Sequence, residues 1–142
     1  MRDVFTPDQI ADLMAISEIC AELNADLVLI GAMSLLVSMT DIGRFTRDVD
    51  LTVALDLDEF ERLSERLTAA GWTRASRLEH RWIALRQTIV DILPAGPKLR
   101  SAGFIQWPIS QFAMSLTGFE HVFTKAADLA LTSGAHIRVA HR

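Results

Sequence analysis

Two aspartates one residue apart, Asp48 and Asp50, are the residues of this 142-residue chain whose type and spacing point most directly to chemistry. They lead into the apolar run 51–55, which predicts a β-strand. Side chains of a strand alternate between its faces, so both carboxylates should lie on one side. Neighbouring carboxylates repel each other unless a cation lies between them. Hard oxygen ligands suit Mg²⁺ or Mn²⁺, so we expect a divalent metal here.

A third carboxylate, that of Asp91, interrupts the otherwise apolar segment 88–93. An ionised group in such a strand should be neutralised or should face a site. If this strand lies beside the strand of Asp48 and Asp50, three acids converge on one metal centre. Because repulsion inside such a cluster destabilises the metal-free protein, we expect Asp91→Asn to raise its thermal stability.

A glycine turn upstream of the acids predicts a phosphate site. The apolar run 27–30 stops at Gly31, where the missing Cβ lets a ligand approach the backbone. Residues 32–39 predict a short helix, and the free N–H groups at a helix start attract anions. Ala32 supplies no hydroxyl at the turn, and Ser34 is either a substitute for it or an ordinary helix serine.

Arg44 and Thr46 lie on the loop that approaches the acids. Arg44 is placed to brace the carboxylates, to contact a phosphate or to form a plain salt bridge, and the sequence does not choose among these. Acids dominate residues 1–66 (fourteen acids, five bases) and bases dominate residues 67–142 (four acids, nine bases). The net charge of −4 argues against general nucleic-acid binding, although the basic half could hold phosphates.

Together, Gly31-Ala32, the R-x-T-x-D-x-D-L segment 44–51 and the segment 90–93 resemble the nucleotidyltransferase superfamily, which includes DNA polymerase β and the aminoglycoside nucleotidyltransferases. The R-x-T-x-D-x-D-L form is most similar to the toxin nucleotidyltransferases of bacterial AbiE-like toxin–antitoxin systems. The resemblance covers residues 25–95. The superfamily turn is usually Gly-Ser or Gly-Gly, so Gly31-Ala32 departs from it.

The resemblance implies transfer of a nucleoside monophosphate from a nucleoside triphosphate (NTP) to the hydroxyl of an RNA, a protein or a small molecule. It assigns two roles. The catalytic metal ligands would be Asp48, Asp50 and Asp91, and the nucleotide-binding residues would be Gly31, Ala32, Ser34, Arg44 and Thr46. An antitoxin partner is also an expectation from the resemblance. The high apolar content, separately, leaves room for a partner surface such as that of a homodimer.

Two alternatives remain open. One is a catalytically degenerate domain that binds nucleotide or a partner without turnover. The other is a phosphatase of the haloacid dehalogenase type, because segment 48–52 fits the D-x-D-x-T signature with Asp48 as nucleophile. That motif normally ends an apolar strand, whereas the apolar run here follows Asp50.

The pattern of apolar residues predicts an α/β (α+β) fold with a mixed, mostly antiparallel sheet flanked by helices. One domain should span residues 1–142, without the C-terminal helical region of the resembled family. No membrane span is predicted, and the single cysteine, Cys20, fits a helix core and a reducing, cytoplasmic compartment. The predicted helices are 6–24, 32–39 and 56–70; the strands are 26–30, 48–55, 72–77, 81–87, 88–93, 107–108, 119–123 and 136–140; 94–103 is a loop and 125–131 a turn or helix.

Overall fold

The computed structural model of the protein describes residues 5–30, 48–116, 119–130 and 136–139. Helix α1 runs over Pro7–Glu22, α2 over Leu57–Ala69 and α3 over Pro97–Ala102. The first helix begins as the sequence predicts, because the Thr6 hydroxyl accepts from the backbone N–H of Gln9 and the Gln9 side chain accepts from the N–H of Thr6. In the part of the chain that is described, no helix has the length and apolar character needed to cross a membrane.

The strands of the described residues are β1 Leu27–Ile30, β2 Asp48–Val53, β3 Thr73–Arg74, β4 Arg81–Ile83, β5 Ile89–Pro94, β6 Phe104–Gln106, β7 Ala113–Ser115, β8 Ala127–Ala130 and β9 His136–Val139. The main sheet has seven of these strands in the order β3-β4-β5-β2-β1-β9-β8. Pairing is parallel between β2 and β5 and between β1 and β9, and antiparallel between the other neighbours. This confirms the predicted mixed, mostly antiparallel sheet. A separate hairpin is formed by β6 and β7.

Apolar side chains of the sheet and helices form one core, which includes Trp82 of β4. Val49, Leu51 and Val53 of β2 are fully buried, as the alternation around the acids predicts. Helix α2 buries Phe60, Leu63 and Leu67 along one stripe, whereas Ala70, which we expected on that stripe, is exposed beyond the helix end. The acids of β2 are therefore carried by a strand whose opposite face is anchored in the core.

The segment 94–103 is not simply a loop, because α3 occupies Pro97–Ala102. Proline suits a first helical position, and Gly103 takes the left-handed conformation (φ 85°) that ends the helix. Asp56, the N-cap of α2, also serves α3, because its Oδ1 accepts from the N–H of Leu99 at 3.0 Å. Gly96 packs so closely here that a Cβ would lie 2.4 Å from the backbone nitrogen of Asp56.

Several other expectations about elements were wrong. Residues 107–108, predicted as a strand, lie in the connection between β6 and β7. Strands β3 and β4 are shorter than predicted, since the chain turns through residues 75–80 and again before β5. Residues 119–121 form a 3₁₀ turn and not a strand. Residues 127–130 form strand β8, which exists through antiparallel pairing with β9, a contact that no local pattern reveals. The predicted helix 32–39 lies outside the described residues.

A buried carboxylate ties α1 to the turn between β4 and β5. Asp12 is fully buried, and its Oδ2 accepts from the Thr88 hydroxyl at 2.6 Å while its Oδ1 accepts from the N–H of Arg86 at 3.2 Å. The Arg86 guanidinium lies 3.7 Å from the same carboxylate. Because buried donors without partners are costly, this contact holds α1 against the turn between β4 and β5.

We therefore expect Asp12→Ala to lower the free energy of unfolding by about 2–4 kcal/mol, since it leaves the Thr88 hydroxyl and the Arg86 N–H without their acceptor. Urea unfolding followed by circular dichroism measures this change. The exposed Asp8 in the first turn of the same helix is the control, and Asp8→Ala should cost about 1 kcal/mol or less. Equal losses in the two variants would contradict a structural role for Asp12.

Candidate active site

The strand that carries Asp91 lies directly beside the strand that carries Asp48 and Asp50, as the sequence analysis required. Strands β2 and β5 run parallel, and Asp50 is the register partner of Asp91. Register partners on neighbouring strands point to the same face of a sheet. The Asp50 and Asp91 side chains thus share the face opposite that of Val49, Leu51 and Val90, which are fully buried.

Asp48 opens β2 with Ile89 as its register partner, and only its backbone is described. It lies two residues before Asp50 on one continuous strand. The observed backbone of β2 therefore supports the expectation that Asp48 and Asp50 share one face of the strand. The position of the Asp48 carboxylate itself stays a prediction.

Arg81 is the site residue that sequence reasoning missed. Its guanidinium holds Asp91 in a two-pronged ion pair, in which Nε donates to Oδ1 at 2.8 Å and Nη2 donates to Oδ2 at 3.0 Å. The side chains of Arg81 and Asp91 are 33% and 15% exposed, so the pair is partly shielded from water. Arg81 is the register partner of Asp91 across the β4–β5 turn. The sequence did contain a signal for this ion pair, because Arg81 and Asp91 lie ten positions apart on the two strands of a predicted hairpin.

Three neighbouring strands therefore present one row of charged residues, in the order Arg81, Asp91, Asp50. Adjacent strands lie about 4.8 Å apart, so each residue in the row is near the next. Carboxylate oxygens in such a row suit a hard divalent cation, so the residues of this site fit Mg²⁺ or Mn²⁺. Among the described side chains, which exclude that of Asp48, no cluster of three or more Asp, Glu, His or Cys residues forms a metal centre.

The predicted nucleotide-binding residues Gly31, Ala32, Ser34, Arg44 and Thr46 all lie outside the described residues. The structure does locate the point from which their segment departs. Strand β1 ends at Ile30, the register partner of Asp50. The chain therefore leaves β1 next to the acid row, where a phosphate-binding turn would be needed.

His80 is half-buried one position before Arg81, and its ring centroid lies 5.9 Å from that of Trp107. Burial lowers the pKa of His80 below its ordinary 6.5; the nearby Asp91 carboxylate opposes this shift and the Arg81 guanidinium adds to it. His80 also lines a cavity of about 300 Å³ with Leu78, Trp107 and Phe112, among others. Neither Asp50 nor Asp91 lines that cavity.

Cys20 has no part in this site. Its side chain is buried in the core on α1, and burial raises the pKa of its thiol to about 12. A thiol with that pKa is not a nucleophile near neutral pH. This confirms the predicted packing role.

A known protein family matches more than half of this chain. The family described as "Nucleotidyl transferase AbiEii toxin, Type IV TA system" matches residues 12–87, which is more than half of the chain and includes the acid strand. None of the curated protein sequences matches the chain significantly.

Solved structures share the fold at low identity. The antibiotic-resistance factor ANT(2'')-Ia in solution aligns with a TM-score of 0.57 at 15% identity, over 93% of this chain and 64% of that chain. The lincosamide antibiotic adenylyltransferase LnuA, lincomycin-bound, gives 0.57 at 14% identity, over 92% and 79%. ANT(2'')-Ia in complex with adenylyl-2''-tobramycin gives 0.59 at 15%, over 94% and 69%. The chain thus spans less than two thirds of the chain in the first of these structures.

The ion pair reverses the expectation that Asp91→Asn stabilises the metal-free protein. That expectation assumed an uncompensated carboxylate, whereas Arg81 neutralises it. We now expect Asp91→Asn to lower the free energy of unfolding without metal by about 1–2 kcal/mol, because the lost charged hydrogen bonds outweigh the relief of repulsion with Asp50. Urea unfolding in EDTA measures it, with the exposed Asp58→Asn as control. An unchanged or raised stability would argue against the ion pair in solution.

The lowered pKa of His80 predicts a pH dependence of stability. The unfolded chain takes up a proton on His80 more readily than the folded protein does, so the stability contributed by neutral His80 is complete above about pH 6.5 and is lost as pH falls through the lower folded pKa. We expect His80→Gln to lose less stability than the native sequence between pH 7.5 and pH 5. Parallel pH dependences of the free energy of unfolding for the two proteins would contradict this, and His121→Gln at an exposed site is the control.

Proposed function

Because the chain belongs to the AbiEii nucleotidyltransferase toxin family, an enzyme family, we propose that it transfers a nucleoside monophosphate from an NTP to an acceptor hydroxyl by a two-metal mechanism. The observation that carries the proposal is the in-register pairing of β2 with β5, which brings Asp50 and Asp91 together on one face. Family membership supports nucleotidyl transfer in general, and the shared acid face supports a metal-dependent mechanism at these residues.

We assign metal binding to Asp48, Asp50 and Asp91. Divalent ions held there, Mg²⁺ or Mn²⁺, would supply charge neutralisation at the triphosphate and polarise the acceptor hydroxyl. In this arrangement Asp48 and Asp50 would orient the triphosphate. Asp91, on the neighbouring strand, would stand on the acceptor side and accept the proton of the attacking hydroxyl.

The segment that follows Ile30 would hold the β- and γ-phosphates. Gly31 and Ala32 would do so through backbone N–H groups, and Ser34 would add its hydroxyl. We assign Arg44 and Thr46 to further nucleotide contacts. What supports these assignments is the end of β1 beside Asp50, together with the resemblance of the 44–51 segment to the superfamily motif.

The proposed reaction conserves atoms and charge in one displacement. The acceptor oxygen forms a bond to the α-phosphorus while the bond from that phosphorus to the oxygen bridging to the β-phosphate breaks. Pyrophosphate leaves, the hydroxyl proton passes to Asp91, and the nucleoside monophosphate stays attached to the acceptor oxygen through a phosphodiester, whether the acceptor is an RNA, a protein or a small molecule.

The order of the residues argues against the phosphatase alternative. In the haloacid dehalogenase motif the aspartates follow an apolar strand, whereas the apolar run 51–55 comes after Asp48 and Asp50 in this sequence. The degenerate, binding-only alternative makes a different prediction about turnover, and the experiment below separates it from catalysis.

We also propose which classes of acceptor and partner this protein has. The family is a toxin family of a Type IV toxin–antitoxin system, which supports an antitoxin-like partner and a cellular acceptor such as RNA or protein. The similar fold of a lincosamide antibiotic adenylyltransferase supports including hydroxylated small molecules among the acceptors to be tested. We propose that residues 1–142 form one catalytic domain of this type, active alone or in a homodimer.

The activity is tested by incubating the protein with each α-labelled NTP, Mg²⁺ or Mn²⁺, and either total RNA, protein extract or an aminoglycoside and lincosamide panel. We expect label to appear in one acceptor class together with released pyrophosphate, and no label with EDTA. Binding of NTP without label transfer to any acceptor would favour the binding-only alternative over catalysis.

Substitutions at the acids locate the activity. Asp50→Asn should lower the rate at least about 100-fold, because one carboxylate of the metal site is lost. Asp48→Asn should behave in the same way. The exposed Asp58→Asn on α2 is the matched control and should keep the native rate. A variant at Asp48 or Asp50 with full activity would remove the two-metal assignment.

A further inference from the structure

We propose that Arg81 is a positioning residue that sets the orientation of Asp91 in the acid row and that its charge weakens metal binding by the protein without nucleotide. The inference rests on the proposed function in one respect, namely that Asp91 is a metal ligand. The geometry that points to Arg81 is the row Arg81, Asp91, Asp50 on three adjacent strands.

The orientation follows from the two-pronged contact. Both oxygens of Asp91 accept from one planar guanidinium, at 2.8 and 3.0 Å, so rotation of the carboxylate would break both hydrogen bonds together. An ionised carboxylate has about four acceptor sites and the arginine uses two of them. Asp91 thus keeps acceptor capacity for a cation while Arg81 holds it in place. A lysine would keep the charge without the planar fork.

The effect on affinity follows from charge. Arg81 stands one strand from Asp91, and Asp50 stands one strand from Asp91 on the other side. A fixed positive charge so close to the carboxylates repels an incoming cation and offsets part of the negative charge that would attract it. Metal binding by the protein alone is thereby kept weak, and an ion that arrives already bound to a triphosphate gains from the phosphate ligands as well.

The charge of Arg81 affects Mn²⁺ affinity, whereas its two-pronged contact with Asp91 affects kcat. One variant that removes the charge and another that keeps it therefore separate the two effects. Arg81→Gln removes the charge and should tighten Mn²⁺ binding to the nucleotide-free protein about tenfold, as followed by the electron paramagnetic resonance signal of free Mn²⁺. Arg81→Lys keeps the charge and should stay within about twofold of the native Mn²⁺ affinity. In transfer assays Arg81→Lys should lower kcat by about tenfold or more with KM for NTP little changed, since the orientation of Asp91 is lost.

Controls make each outcome decisive. Arg62→Gln removes an exposed arginine from α2 and should alter neither Mn²⁺ affinity nor kcat. The proposal is overturned if Arg81→Gln binds Mn²⁺ no more tightly than Arg62→Gln does, or if Arg81→Lys keeps the native kcat. Should Arg81→Gln not fold, Arg81→Met takes its place in the Mn²⁺ measurement, and the kcat of Arg81→Lys still decides the positioning role.

Failure of the proposed function would look different. In that case the native protein would transfer no label to any acceptor, or Asp50→Asn would leave both transfer and Mn²⁺ binding unchanged. Mn²⁺ binding that depends on Asp50 and tightens in Arg81→Gln would support the role of Arg81 in metal affinity even in a protein without turnover. If neither the native protein nor Arg81→Gln binds Mn²⁺, the proposed role of Arg81 in metal affinity is overturned.

Discussion

In-register parallel pairing of β2 with β5 puts two carboxylates, those of Asp50 and Asp91, side by side on one face of the sheet. Like charges at this spacing are tolerated only where cations compensate them. Within the protein Arg81 supplies one such cation through its fork on Asp91. The core holds this arrangement in place, because Val49, Leu51 and Val90 are buried on the face of the same strands that lies opposite the acids.

Much of this could be foreseen from residues that act locally. The alternation of Asp48, Val49, Asp50 and Leu51 predicted the acid strand and its two faces, because strand periodicity depends on the backbone alone. The capping pair Thr6 and Gln9 predicted the start of α1 for a similar reason. The neighbourhood of β2 and β5 was expected only as a condition for a metal centre, because an aspartate in an apolar strand requires a compensating group without indicating which strand lies beside it. The observed pairing meets that condition.

What the sequence did not reveal depends on contacts between distant segments. Arg81 was not assigned to the acid site, because its role there depends on which residue of β5 it faces across a turn. Strand β8 was missed because its pairing with β9 is tertiary, and α3 was missed because six residues carry little helical periodicity. The nucleotide-binding assignments at residues 31–46 depend on the resemblance and lie outside the described residues.

The junction around Gly96 has a consequence for the chemistry at the other end of the strands. Past β2 and β5, the N–H of Ala95 donates to the carbonyl of Val53, that of Gly96 to the carbonyl of Leu55, and that of Leu99 to the Asp56 carboxylate. Sliding one strand along the other by a single residue would break this series and turn Asp91 toward the helix-covered side. The contacts at residues 95–99 thus fix the register of Asp50 and Asp91 from the opposite end of the two strands. A methyl group added at Gly96 would disturb these contacts and so shift the two carboxylates relative to each other.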